Sequence, residues 1–113
     1  MIESILCNIL TEQLSVPVVL EVPEEKPASY VVLEKTGSSR RNRIDHATVA
    51  IQSIAQTLYE AAELNEKVKE VMFQLPYLSM SVSGAELDSD YNFTDVESKE
   101  RRYQAVFYIT YKE

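Results

Sequence analysis

The spacing of apolar residues divides the chain into short elements of two kinds. In "MIESILCNILTEQLS", Ile2, Ile5, Leu6, Ile9 and Leu10 recur at helical spacing, with Glu3, Asn8 and Glu12 on other faces. That predicts an amphipathic helix, ended by Pro17. "VPVVLEVP" is short and β-branched, a strand bounded by Pro17 and Pro23. "EEKPAS" is a polar turn, and "YVVLEKTG" a second strand stopping at Gly37. A polar loop over 37–46 follows. "ATVAIQSIA" alternates, with Val49 and Ile51 opposed to Thr48, Ala50 and Gln52. Period two predicts a strand over about 46–54; the alternative is that the same letters open a long helix. From Ala55, apolar residues at Ala61, Leu64, Val68, Val71 and Leu75 step by three and four, a helix closed by Pro76. Glu63 precedes Lys67 by one turn, the favourable order for a helical ion pair.

Two strands complete the pattern. "LSMSVSGAELDSDY" reads as a strand interrupted near Gly84, and "NFTDVESKE" as a polar connection. "RRYQAVFYITYKE" alternates most clearly: Tyr103, Ala105, Phe107, Ile109 and Tyr111 share one face, Arg102, Gln104, Val106, Tyr108 and Thr110 the other. The first face belongs on a core. The second carries Val106 and Tyr108 and is too apolar for a plain solvent face. The order α-β-β-β-α-β-β, with mostly short connections, predicts an α+β fold: an antiparallel sheet with two helices packed on one face. The 113 residues make one domain, 1–113, with no internal repeat or linker. Leu64, Val68 and Val71 are expected to face Phe107 and Ile109.

Charge and chemistry narrow the picture. The chain is acidic, with net charge -7, which argues against general nucleic-acid binding. All its arginines fall in two clusters, Arg40/Arg41/Arg43 and Arg101/Arg102. Arginine suits fixed, bidentate contact with carboxylates. Two such clusters on an acidic chain point to an acidic neighbour, a second copy of the chain included. The single cysteine, Cys7, permits no internal disulfide and no Cys-rich zinc site; it reads as a small apolar helix residue. With no apolar run near the roughly 20 residues of a membrane span and no signal-peptide pattern, the expectation is folding in a reducing cytoplasm.

Catalytic patterns are thin. His46 is the lone imidazole, and Asp45 beside it points to the opposite face of a strand, so the two do not form a natural dyad. Asp88, Asp90 and Asp95 suggest a calcium loop, but Phe93 and Lys99 stand where an EF-hand needs Gly and Glu. Two glycines, Gly37 and Gly84, are too few for a phosphate-cradling loop. The expectation is no catalytic residue, no cofactor and no metal.

"YVVLEKTGSSRRNRIDHATVAIQSIAQTLYEAAELNEKVKEVM" followed by "LDSDYNFTDVESKERRYQAVFYITY" resembles the tail-completion, or tail-terminator, proteins of long-tailed phages and of prophages in Gram-positive bacteria. The likeness rests on the order of "EKTG", the polar loop, "ATVAIQS", "LNEKVKE", "SDYNFTD" and "RRYQAVFYITY", and residues 1–28 support it by pattern only. The resemblance implies a structural virion protein, not an enzyme, made in the host cytoplasm. It implies a ring, commonly a hexamer, that caps the tail tube and joins it to the head connector while DNA passes through. On that reading Arg40, Arg41, Arg43, Arg101 and Arg102 are docking residues towards a neighbouring subunit, tail or head partner. A neck or minor capsid protein is the nearby alternative. A stand-alone interaction module that pairs through its exposed last strand is the alternative from another class.

Overall fold

A computed structural model describes residues 1–97 and 100–112. Lys99, used in the calcium-loop comparison, lies outside the described residues, as does Ser98. The elements run α1 (Ile2–Leu14), β1 (Val18–Val19), β2 (Tyr30–Arg41), β3 (Ile44–Ala55), α2 (Leu58–Phe73), α3 (Leu75–Leu78), β4 (Val82–Asn92) and β5 (Arg101–Tyr111). The fold is α+β. The five strands form one sheet in the order β1-β2-β3-β5-β4, so the last strand in the chain is inserted between its predecessors.

One face of the sheet carries the core. Val31 and Leu33 of β2, Ala47, Val49 and Ile51 of β3, and Ala105, Phe107 and Ile109 of β5 are buried against Ile2, Leu6 and Leu10 of α1 and Leu64, Val68 and Met72 of α2. The alternation read in β5 is the alternation observed, and Val71 is only half-buried at the margin of this cluster. Phe73 meets Phe107 edge to face, with ring centroids 5.6 Å apart. A smaller cluster of Tyr30, Val32 and Ile54 sits apart from the main one.

Local chemistry sets the boundaries. Ser15 adopts a left-handed conformation at the end of α1 (φ 60), two residues before Pro17. α2 starts three residues later than its apolar spacing suggests, because β3 continues through Ala55 and Thr57 then caps the helix, accepting a hydrogen bond from the Glu60 N–H. Pro76 stands at the start of a third, short helix, α3, instead of simply closing α2.

Four expectations need correction. The sheet is mixed, because β1 runs parallel to β2, pairing Val18 with Val31 and Val19 with Val32. The connection 20–29, with Pro23 and Pro27, is no hairpin turn; it returns the chain to the same end of the sheet before β2 begins. The first strand is also shorter than "VPVVLEVP" suggests. The 37–46 segment is not a loop: β2 and β3 stay paired out to Arg41 and Ile44. Asn42 (φ 53) and Arg43 (φ 65) make the turn, both left-handed as a tight two-residue hairpin demands.

Candidate assembly surface

The hairpin of β2 and β3 carries the first arginine cluster to one end of the sheet. Arg40 stands across from Asp45. Its Nε and Nη2 donate to Asp45 Oδ1 and Oδ2 at 2.6 and 3.0 Å, a bidentate pair that locks the arm on itself. Those hydrogen bonds hold the Asp45 carboxyl below its usual range, although Asp45 is largely covered. Arg41 and Arg43 are exposed at the tip. Asp45 and His46 do lie on opposite faces: His46 is exposed, with Nδ1 3.3 Å from Thr110 Oγ1.

The second cluster lies at the opposite end. β3 pairs Ile44 with Arg41 at one limit and Ala55 with Arg101 at the other. At ~3.3 Å per residue the two clusters are roughly 35 Å apart. Arg101 is exposed. Arg102 is engaged in the sheet, with Nη1 donating to Gln52 Oε1 at 3.2 Å and Nη2 to Glu100 Oε2 at 3.3 Å. Glu100 also takes Lys26 Nζ at 3.1 Å and the Tyr30 hydroxyl. Burial pushes the Glu100 carboxyl up, but Tyr30, Lys26 and Arg102 outweigh it and the net direction is down. Burial and the Glu100 contact push the Tyr30 phenol up to about 12. This cluster ties the connection before β2 and the one before β5 to the sheet. Of the arginines read as docking residues, three therefore face outward, Arg41, Arg43 and Arg101, while Arg40 and Arg102 hold the chain's own carboxylates.

The acidic residues compared with a calcium loop are dispersed. Asp90 accepts from Asn65 Nδ2 and Lys69 Nζ, both at 2.9 Å, pinning α2 to β4. Hydrogen bonds from Lys69 to Glu66 and Asp90 raise its pKa. Asp95 Oδ1 accepts from the Glu97 N–H. Among the described residues no group of three His, Cys, Asp or Glu is placed to hold a metal ion.

The remaining feature is the sheet face away from the two long helices. Both long helices pack on the core face; on the reverse face Ala50 and Ile54 of β3 are still buried, Ile54 with Tyr30 and Val32, while Tyr108 of β5 and Glu86 of β4 are exposed. Tyr108 is 48% exposed there, beside half-buried Val106 and Thr110. β4 lies at the rim of the sheet, and β5 is internal, which corrects the expectation that the last strand is the exposed one. The position of β4 was not legible in its own letters, since it depends on where β5 inserts.

No protein-family model matches the chain, and no curated protein matches it. Among solved structures, a chain of the "Virion of native gene transfer agent (GTA) particle" is similar at a TM-score of 0.66 and 16% sequence identity. The match covers 97% of this chain and 86% of that one. At that identity it is the fold that the two chains share, over nearly the whole of both.

Proposed function

We propose that the chain is a structural protein of a phage-like virion, and that within the particle it completes the tail: copies form a ring on the tail tube and join it to the head connector. The observation that carries this reading is the whole-length fold likeness to a chain of a gene transfer agent virion. The order of motifs along the sequence supports the finer assignment. The surface fits a part that works by contact: a sheet face exposed around Tyr108, an open rim strand and exposed arginines at both ends of the sheet. The chemistry of such a part is non-covalent, and we assign no catalytic role to any residue. A net charge of -7 suits a passage through which DNA slides without being held.

The test is deletion and complementation in a phage or prophage that encodes this chain. Deletion is expected to give filled heads and separate tails, and the wild-type gene to restore joined particles. Cryo-electron microscopy of the restored particles is expected to show the chain between tail tube and connector. Density for it in the capsid or the neck collar would move the role to a minor capsid or neck protein. Normal particles from the deletion strain would overturn the virion reading. Retention of duplex DNA by the isolated protein at physiological salt would overturn the sliding-passage argument.

A further inference from the structure

A hollow lies between the first half of α2 and the start of β5. Tyr59, Ala62, Glu63, Asn65 and Glu66 of α2 line it on one side and Tyr103 of β5 on the other, around a volume of about 330 Å³. Asn65 is its unusual member. It is 1% exposed, and its Nδ2 donates to Asp90 Oδ2 at 2.9 Å. That bond fixes the orientation of the amide, because an ionised carboxylate only accepts. Oδ1 is then left as a buried acceptor with no hydrogen-bond partner among the described residues. Such atoms are uncommon in folded proteins, and a donor entering the hollow would account for this one. Tyr59, 77% exposed, is free to turn aside for it.

The surrounding charge selects a cation. Glu63 is exposed and keeps no ion pair among the described residues. Glu66 and Asp90 share the ammonium of Lys69, at 2.8 and 2.9 Å. Three carboxylates therefore meet one cation. The outer surface of α2 continues the bias, with Glu60 and Glu70 exposed against Lys67. Tyr59 and Tyr103 add ring faces. Carboxylates, an amide oxygen and aromatic faces together are the parts that receive a guanidinium.

The chain carries guanidiniums of the right kind and cannot bring them there itself. Most of its cations are taken: Lys26 and Arg102 hold Glu100, Lys35 holds Glu3, and Arg40 holds Asp45. Arg41 and Arg43 hold none of the chain's carboxylates among the described residues. They flank Asn42 at the tip of the β2–β3 hairpin. The arm is stiff, since its strands pair to the end and Arg40 is clamped on Asp45. Tyr103 stands opposite Ser53, and Arg41 opposite Ile44, at the far end of β3. Tip and hollow are thus roughly 30 Å apart within one chain. Arg101, at the same end as the hollow, lies with Asn92 and Asp95 instead.

We propose that the hollow receives the hairpin tip of a second copy, with the Arg43 guanidinium entering between Tyr59, Glu63 and Tyr103. The contact joins two different surfaces, so it can repeat from copy to copy, as a ring requires. The inference rests on the reading that copies of this chain assemble, and not on what they cap.

Arg43→Lys keeps the charge and puts a primary amine at the tip. Isotope-labelled and unlabelled forms of this variant are mixed in urea, refolded together and treated with a carbodiimide, which joins amines to carboxylates in contact. Mass spectrometry of the peptides is expected to find position 43 joined to Glu63 or Glu66, with labelled and unlabelled partners in the same pair. Sedimentation velocity supplies the second measurement. Arg41→Glu with Arg43→Glu, and Tyr59→Arg with Glu63→Arg, change exposed positions, and each pair is expected to weaken self-association about tenfold or more. Mixing the two variants restores it, because the acidic tip of one then meets the basic hollow of the other, and the unchanged tip meets the unchanged hollow. Joined peptides that avoid Glu63 and Glu66 or come from one copy only, self-association indifferent to the charge changes, or a wild-type chain that stays monomeric at every concentration overturns the proposal. The complementation experiment is separate: normal particles from the deletion strain would remove the virion role and leave this contact untouched.

Discussion

Val68 offers the sharpest test of the helix–sheet packing. It is fully buried in α2, in one cluster with Phe107 and Ile109. Val68→Ala removes two methyl groups. At ~0.8 kcal/mol for each buried carbon, the transfer loss is about 1.6 kcal/mol. The cavity left by about 50 Å³ of missing side chain adds about 1 kcal/mol at ~24 cal/mol per Å³. Alanine's better helix propensity returns about 0.5 kcal/mol. The net loss is about 2 kcal/mol. In a chain of this size that lowers the melting temperature by about 8 °C. The assay is urea denaturation followed by circular dichroism, with m held constant between variants. Val71→Ala is the control: Val71 lies one turn on and is only half-buried, so its loss is expected to stay below about 1 kcal/mol. A Val68→Ala loss under about 0.5 kcal/mol, or a larger loss at Val71, would mean that α2 presents a different face to β3 and β5.

The arginines separate by the partners they keep. Arg40→Glu sets a carboxylate against Asp45 and is expected to lower the melting temperature, whereas Arg41→Glu with Arg43→Glu leaves it unchanged; scanning calorimetry of the two variants checks this. Thr57→Ala removes the cap of α2 and is expected to cost about 1 kcal/mol in urea, with Thr57→Ser recovering most of it. The Tyr30 phenol ionises near 10 in the unfolded chain and about 12 in the folded one, so its contribution is intact below pH 10 and is lost as pH rises from 10 to 12. Urea midpoints over that range are expected to fall less steeply for Tyr30→Phe than for wild type; equal slopes would refute the Tyr30–Glu100 contact. Glu100 works in the other direction: its lowered pKa gives stability that is present at neutral pH and lost as pH falls through the carboxylate range, and Glu100→Gln is expected to flatten that acid limb.

The legible parts of the fold were those where one face of an element is buried and the other is not. β5 alternates strictly because every second residue enters the core, and α1 repeats every three or four residues for the same reason. The β2–β3 arm was illegible because its outer half is polar on both faces. With no core to face, Thr36 to Arg41 carry no alternation, and the turn lacks the glycine that usually marks a tight hairpin. Asn42 was the available signal, since asparagine tolerates the left-handed region. The arginine clusters were visible, but the roles of Arg40 and Arg102 were not. Arg40 meets Asp45 only because the hairpin brings positions five apart face to face. Arg102 meets Gln52 only through the β3–β5 pairing. The parallel β1 was hidden for a related reason: direction depends on the path of the connection 20–29, and prolines there forbid a tight turn without saying where the chain returns.

The insertion of β5 between β3 and β4 has a consequence for timing. During synthesis β5 leaves the ribosome after the other four strands of this sheet, yet it sits inside the sheet, between β3 and β4. Until it arrives, β4 has no partner strand and β3 is paired on one side only. Joining these distant segments is a late and slow step by the general relation between sequence separation and folding rate. Until then the edges of β3 and β4 stand open, the kind of exposure that invites strand addition between unfinished chains.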